Sequence, residues 1–600
     1  MQSASMATAG IAVPRRLLPG MFAAAPGLPP LEQFDYGDVM LTSEIHEKQL
    51  ENTHSILMGL SDDSLLKPLR QMSGQAAPGQ DLGGWYHYNP DYKWGEDEDG
   101  FAPGCTFGQW VSALARMYAI RPDQATRDKV LRLNRLYAQT ISSDYYDKNR
   151  FPTYCYDKIV CGLIDSHRYV GDPDAYAILE HTTDTALPHF PKHAVANGKD
   201  WRPSKDFTWT WDESYTISEN LFLAYQRGAG DRYRELGRQY LFDEYYDPLS
   251  EGRNNLAGRH AYSHVNSLSA AMQAYLTLGS EKHLRAARNG FVMLSQQSFA
   301  TGGWGPDEQL RAPDSPDLYA SLTGSHCSFE TPCGSYAHFK LTRYLMRVTR
   351  ESRYGDSMER MMYNTVLGAK PLVADGRTFY YSDYNFKGRK VYSNTQHWSC
   401  CSGTLPQVAA DYRINTYLRD PQGIWVNLYI PSILRWTQDG AHVVLIQKSL
   451  YPFDTVVQFE VNTSQPREFT VRFRIPAWAQ GASISINGRR EKMTTTPGSF
   501  AAIHRQWSSS DRVELDLPMT TRIEPLDRQH PETVALLFGP LVLFAITDNQ
   551  PALKQADLLA AKRMDKRSWQ VRTAGASIKM LPFTDIGEEQ YSTYLRVTKT

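Results

Sequence analysis

The chain has 600 residues, of which 42% are apolar, 22% charged and 12% aromatic, the profile of a globular protein with room for two to four domains. Lys and Arg total 64 against 65 Asp and Glu, a net charge of −1, so the basic field that nucleic acid or an anionic membrane needs in a partner is missing. No run of 18 or more apolar residues occurs, so no transmembrane segment is expected.

Residues 2–13 are small and apolar and precede Pro14-Arg15-Arg16. They lack the basic start of a signal peptide and are too short to span a bilayer. The segment reads either as the remnant of an export signal, which would place the protein in the periplasm or outside the cell, or as a disordered tail of a cytoplasmic one. Residues 1–33 stand outside the fold in both readings, and structure is expected to begin near Phe34.

Residues 34–420 are expected to form a helical domain, since from about residue 40 to 370 the apolar positions mostly follow helical spacing. Trp110, Leu114, Met117 and Tyr118 share one face, as do Val265, Leu268, Met272 and Tyr275 ahead of a capping Gly279. Short polar turns join such stretches in pairs at Tyr169–Tyr176, Gly228–Tyr233, Leu278–His283 and Thr349–Tyr354, with a weaker instance at Ile120–Gln124. A hairpin repeating every 50 to 70 residues or so packs either as an open solenoid or as a closed toroid. The long aromatic, Gly-rich insertions 76–104 and 299–329 suit the rim of a closed cleft, so an (α/α)6 barrel is expected. Residues 421–600 change to short strands, among them Ile424–Ile430, Val443–Ile446, Thr455–Val461, Phe469–Ile475, Ser483–Ile486, Arg512–Leu517 and Thr533–Phe538, with a hairpin signal at Asn487-Gly488. One or two β-sandwich modules are predicted there.

The chemistry-bearing residues concentrate in a few segments. Seven cysteines in 600 residues are too sparse for a disulfide scaffold, and their odd number leaves at least one thiol unpaired. Cys105, Cys155, Cys161 and Cys327 are expected to pack in helices or loops. Glu330 and Cys333 open a helix-like stretch, and Cys400-Cys401 follow 67 residues after Cys333. Three thiols and a carboxylate form the set Zn2+ prefers if the two segments meet; a vicinal disulfide or plain burial are the other readings. In Thr301-Gly-Gly-Trp-Gly-Pro-Asp-Glu308, Asp307 and Glu308 lie on a loop beside Trp304, where a raised carboxyl pKa would suit a general acid; a solvated turn is the bland reading. Trp85, Tyr86 and His87 form either a stacking wall for a sugar or packing at a rim. Asp212, after Trp209 and Trp211, is either a helix N-cap or a hydroxyl ligand. His167 and His326 are taken as ordinary histidines.

Paired helical hairpins, a GG-x-G loop ending in Glu308, the Glu330-Thr-Pro-Cys333 segment, a later Cys-Cys pair and β modules together resemble glycoside hydrolase family 127, whose best-known members resemble β-L-arabinofuranosidases. The resemblance runs from about residue 35 to the end. It implies a retaining exo-glycosidase acting on an oligosaccharide or polysaccharide of plant or bacterial origin, with a zinc-bound cysteine as nucleophile. By position it makes Cys400 the nucleophile and Glu308 the acid/base. Glu330, Cys333, Cys400 and Cys401 become the Zn2+ ligands, and His264 and Tyr381 sugar-contacting residues. Family members place one residue between the glutamate and the cysteine, whereas Thr331 and Pro332 both intervene here. The surroundings GGWGPDE and HWSCCSGT also depart from the family pattern, which marks a separate branch. Competing readings are a glycosidase with a purely structural metal, in which Glu308 works with Asp307 or Asp314, a polysaccharide lyase on the same toroid, and a non-catalytic glycan-binding protein.

Overall fold

The computed structural model describes residues 28–93, 96–97, 99–196, 213–573, 575 and 577–598. Residues 1–27 of the expected tail, and Trp209, Trp211 and Asp212, lie outside the described residues.

Twelve helices frame the described part of the first 416 residues: α1 (Glu44–Gly59), α2 (Phe107–Ile120), α3 (Gln124–Ala138), α4 (Pro152–Asp165), α5 (Ala175–Ala186), α6 (Ser218–Gln226), α7 (Asp231–Gln239), α8 (Ala261–Leu278), α9 (Glu281–Ser295), α10 (Thr331–Thr349), α11 (Arg353–Asn364) and α12 (Cys400–Thr416). Shorter helices fill some of the connections. All five turns read from the sequence join consecutive helices of this set, and Gly279 ends α8 in the left-handed conformation. The even-numbered helices are largely buried, whereas the odd-numbered ones bury one stripe. That difference follows from neighbours: α2 packs on α4, α4 on α6, α6 on α8, α8 on α10, α10 on α12, and α12 back on α2. Helices α1, α3, α5, α7, α9 and α11 each lie against one of the buried six. Glycines permit the tightest of these crossings. A Cβ on Gly108 of α2 would stand 1.9 Å from the Lys158 carbonyl oxygen of α4, so no larger residue fits without moving a backbone.

Strands dominate from Tyr417 onward. One five-stranded sheet runs in the order Glu32–Gln33, Tyr417–Asp420, Gly423–Val426, Arg467–Ile475, Ser499–Trp507. A seven-stranded sheet runs Arg489–Arg490, Ser483–Ile486, Asp511–Asp516, Val456–Thr463, Ala441–Ser449, Ser432–Gln438, Val39–Leu41. The two meet through ring contacts such as Phe459 on Phe473, at 4.8 Å between centroids. A nine-stranded sheet takes in strands from Thr521 to Thr598. Asn487 and Gly488, both at positive φ, form the hairpin turn their sequence predicts.

Three details differ from the sequence reading. Packing starts at Leu31, which is fully buried, and residues 32–33 and 39–41 add edge strands to the two sheets. Strands of two or three residues are too short to show alternation. The expected division after residue 420 falls inside the hairpin between Tyr417–Asp420 and Gly423–Val426. Residues 427–430 leave the strand because the backbone N–H groups of Asn427 and Leu428 turn to the Thr416 carbonyl that ends α12. The sheets are tied to the helices by Arg474, whose buried guanidinium pairs with Asp356 and Glu359 of α11.

Candidate active site and metal centre

The site lies at the N-terminal ends of the buried helices. Glu330 occupies the N-cap position of α10, with Pro332 and Cys333 in its first turn; Cys400 and Cys401 are the first two residues of α12. Proline suits the start of a helix, where its missing N–H has no partner to lose. Thr331 and Pro332 thus open the helix, with Glu330 just ahead of it and Cys333 on its first turn. Phe329–Glu330 also forms a short antiparallel pair with Tyr381–Ser382, and the Thr331 N–H donates to the Tyr380 carbonyl at 2.7 Å.

These constraints bring four ligating atoms, from Glu330, Cys333, Cys400 and Cys401, within 4.8 Å of one another. Glu330 Oε1 is 3.3 Å from Cys400 Sγ and 3.7 Å from Cys401 Sγ, and the Cys401 and Cys333 sulfurs are 3.5 Å apart. Donors about 2.0–2.3 Å from one tetrahedral ion would be separated by about 3.3–3.8 Å. The second carboxylate oxygen, Glu330 Oε2, is buried without a hydrogen-bond partner among the described residues, a cost that a cation would remove. The cluster can hold a metal ion. No disulfide joins its thiols.

Electrostatics separate the four groups. Burial would push the Cys400 thiol up, but hydrogen bonds with Cys333, Cys401, Tyr380 and Glu330 outweigh it and hold Cys400 well below the ordinary thiol range. Burial raises Cys333 and Cys401 instead, and burial plus the charges of Cys400 and Glu308 raise Glu330. Four buried acids this close cannot all ionise without a cation. Two helix N-termini beside the sulfurs favour negative charge at Cys400 as well.

Glu308 reaches the cluster from the loop ahead of α10. Gly305, Asp307 and Glu308 all have positive φ, and this turn aims the Glu308 carboxylate inward. It accepts a 2.5 Å hydrogen bond from the Tyr381 hydroxyl and lies 3.5 Å from His260 Nε2. Ligating atoms of His260, Glu308 and Glu330 also lie within 4.8 Å of one another, so Glu330 belongs to both groups. Cys400, Glu308, Glu330, His260 and Glu213 line one small cavity together with Trp85, Phe101, Phe151, Tyr154, Tyr262 and Tyr380. Few polar groups converging in an aromatic pocket is the usual make-up of a small-ligand site.

The remaining sequence candidates fall at different places. Trp85 is in the cavity wall, 4.7 Å from Phe101 and 6.0 Å from Tyr380 between ring centroids. His87, two residues on, is outside the lining and paired with Asp81 at 2.6 Å. His264 is also outside it, buried one helical turn deeper, with Nδ1 bonded to the His260 carbonyl and its ring against Tyr215 and Tyr245. Burial and the neighbouring Arg259 hold His264 well below the ordinary histidine value. The histidine in the cavity is His260, the N-cap of α8. Burial alone would lower it, but Glu213 and Glu308 override burial and raise it to about 9. His260 and Glu213 were missed in the sequence. Both stand just ahead of a buried helix, α8 and α6, as Glu330 stands ahead of α10, while the cysteine pair opens α12 itself. Asp307 turns away to Ser325 and Arg311, and Asp314 is outside the cavity lining. His326 pairs with Asp383 and His167 stacks on Tyr176.

Comparison with known proteins bears on this geometry. The family model described as β-L-arabinofuranosidase, GH127 catalytic domain, matches residues 38–413, and the GH127 middle-domain model matches residues 423–519. No curated protein matches the chain in sequence. Among solved structures, the chain is similar to a GH127 β-L-arabinofuranosidase from Geobacillus stearothermophilus T6, with TM-score 0.70 and 18% identity over 93% of this chain and 100% of that one. It is similar also to the GH127 β-arabinofuranosidase BT3674, with TM-score 0.72 and 16% identity over 95% of this chain and 98% of that one. At these identities the structures show a shared fold: a helix-rich region followed by β-sheets.

Proposed function

The chain belongs to glycoside hydrolase family 127, and from that premise we propose that it is a retaining exo-glycosidase whose nucleophile is Cys400 and whose acid/base is Glu308. Glycoside hydrolysis follows from the family. The observation that carries the finer reading is that Cys400 Sγ and the Glu308 carboxylate flank one cavity and are linked through Glu330. An (α/α)6 toroid is the architecture we read from the packing order of the six buried helices, in which α12 returns to α2.

Glu330, Cys333, Cys400 and Cys401 would hold a Zn2+ ion, which when bound keeps cysteine ligands as thiolates at neutral pH. The Cys400 sulfur forms a bond to the anomeric carbon while the bond from that carbon to the departing oxygen breaks, and Glu308 gives that oxygen its proton. Water then attacks the same carbon. Glu308, now a carboxylate, takes the proton from that water, and the carbon–sulfur bond breaks to restore the thiolate. Two inversions give net retention, and no second catalytic carboxylate is required. Tyr381 positions Glu308, and Trp85 offers a ring face to the sugar's C–H face. A β-L-arabinofuranoside-type glycan is the substrate class that the relatives' activities suggest.

The test is a panel of aryl furanosides and pyranosides assayed at measured zinc content. Aryl release with retained anomeric configuration is expected, at one zinc per chain, with Cys400→Ser at least a thousandfold slower. Full activity in Cys400→Ser would overturn the assignment of the nucleophile.

A further inference from the structure

We propose that the end of the helical domain opposite the cysteine cluster is a binding site for a small polyvalent anion carrying carboxylate or phosphate groups. A cavity with about 1560 Å3 of empty space opens there. It receives side chains from all six buried helices, mostly from their C-terminal halves, with Glu219 and Asn220 from the start of α6 and Tyr336 from the first half of α10 as the exceptions. Asp411 lies eleven residues after Cys400 on α12, and Arg343 ten after Cys333 on α10, so about 15 Å of helix separates the two sites.

Charge in this cavity does not balance. Asp165 and Asp411 are shared by three guanidiniums. Arg116 reaches both at 2.9 Å, Arg227 reaches Asp165 at 2.6 Å and Arg343 reaches Asp411 at 3.6 Å. The Tyr36 hydroxyl takes a further share of Asp411 at 2.6 Å. Lys340 is matched by Glu219, and Arg168 by Asp35. Among the described residues, Arg347 donates only to neutral oxygens, the Leu31 carbonyl and Gln33 Oε1. The lining thus carries two positive charges beyond its carboxylates. Arg343 is 6% exposed, and its Nε has no hydrogen-bond partner among the described residues, so a buried donor lacks an acceptor. The partial negative charge of helix C-termini fades within the last turn, and Arg343 lies more than a turn inside α10.

Backbone geometry points the same way. Helix α4 runs directly into a π-helical turn at Ser166–Val170, which brings His167, Arg168 and Tyr169 to the cavity. Turns of this kind are frequent at functional sites. Guanidiniums arranged in forks match the paired oxygens of carboxylate and phosphate.

The test titrates the full chain with inorganic phosphate, and separately with citrate, at constant ionic strength set by chloride. Saturable binding to one site, with a rise in Tm, is expected; the tighter of the two anions identifies the group recognised. Arg168→Gln and Asp35→Asn sit at the exposed rim, where neither substitution endangers the fold. Changing one rim charge by about 1 kcal/mol corresponds to roughly fivefold in affinity, so the first is expected to weaken binding severalfold and the second to tighten it. Absence of saturable binding by the unmodified protein, or equal affinity in all three proteins, would overturn the proposal. Glycosidase activity is not the readout, so the outcome is independent of the function proposed above.

Discussion

Tyr381 and Glu330 are directly opposite each other in a two-residue antiparallel pair, and the same Tyr381 donates its hydroxyl to Glu308 at 2.5 Å. One backbone pairing therefore sets the carboxylate at the cysteines and the carboxylate proposed as acid/base in a fixed relation. A hydrogen bond to a charged group is worth about 1.5–3 kcal/mol. Tyr381→Phe is expected to lower kcat/KM by about 10- to 100-fold with metal content unchanged. Measured zinc and steady-state kinetics check this; loss of zinc in the variant would mean that Tyr381 acts on the metal centre instead.

His260 gives the site a pH-dependent contribution to stability. Its folded value of about 9 exceeds the unfolded value of about 6.5, so the stabilisation from Glu213 and Glu308 is complete below about pH 6.5. It is lost as pH rises through 9. The full shift corresponds to about 3 kcal/mol. The Tm advantage of the unmodified protein over His260→Gln is expected to shrink steadily between pH 6.5 and 9.5, as thermal melts across that range would reveal. A gap that stays constant would show that His260 is neutral in the fold.

How much of this was legible beforehand depends on what each feature needs from the rest of the chain. Helical hairpins and their turns are local, and the spacing of Trp110, Leu114 and Met117 or the capping Gly279 is enough to find them. The Glu330–Cys333 and Cys400–Cys401 pairs could be named from residue type and resemblance, but their approach to within 4.8 Å depends on two helices packing side by side. His260 and His264 are one helical turn apart and equivalent by spacing. Only the depth of each along α8 tells the cavity histidine from the one behind it. The edge strands at residues 32–33 and 39–41 gain their structure wholly from partners some 390 residues away, so no local pattern could reveal them.

Ionising all four groups of the cysteine cluster would require a cation, and the proposed zinc site can be tested on that point. Prolonged chelation is expected to lower Tm by several degrees and abolish hydrolysis, and one equivalent of Zn2+ should restore both. Cys333→Ala and Cys401→Ala should each reduce zinc affinity by an order of magnitude or more. Cys155→Ala, at a buried thiol outside the cluster, should leave zinc content unchanged. Zinc measured per folded chain distinguishes these outcomes, and full occupancy in Cys333→Ala would remove that residue from the ligand set.

Gly84 controls the approach of the aromatic wall to the segment that leads into Cys400. It has φ of 59°, and a Cβ there would stand 2.0 Å from the His397 carbonyl oxygen, which accepts the Trp85 N–H at 3.0 Å. Gly84→Ala must part residues 84–86 from the loop that leads into Cys400, besides the strain of a left-handed alanine. Expected are a Tm loss of a few degrees and at least a tenfold fall in kcat/KM. Gly83→Ala also has positive φ, but a Cβ there would meet open space; it should pay only the conformational cost and keep most activity. Equal activity in the two variants would count against the contact.

Arg474 is the test of how the sheets support the helices. Its side chain is wholly buried and pairs with Asp356 and with Glu359 at 2.7 Å, while Nε donates to the Asn427 carbonyl. Glu359 also accepts the Tyr451 hydroxyl at 2.6 Å, so the network spans α11, the strand Arg467–Ile475 and the turn at Tyr451. Burial pushes both carboxyls up, and the Arg474 charge opposes that rise. Arg474→Met keeps the length of the side chain but leaves the buried Glu359 and the half-buried Asp356 carboxylates without their cation, a change of about 3–5 kcal/mol. Substituting Asp356→Asn and Glu359→Gln as well removes the stranded charges, and the triple variant should recover much of that loss. Chemical denaturation of the single and triple variants measures the difference. A single variant as stable as the unmodified protein would mean that other contacts, such as Arg360 with Glu524 at 2.8 Å and Tyr363 on Tyr451, hold the sheets to the helical domain.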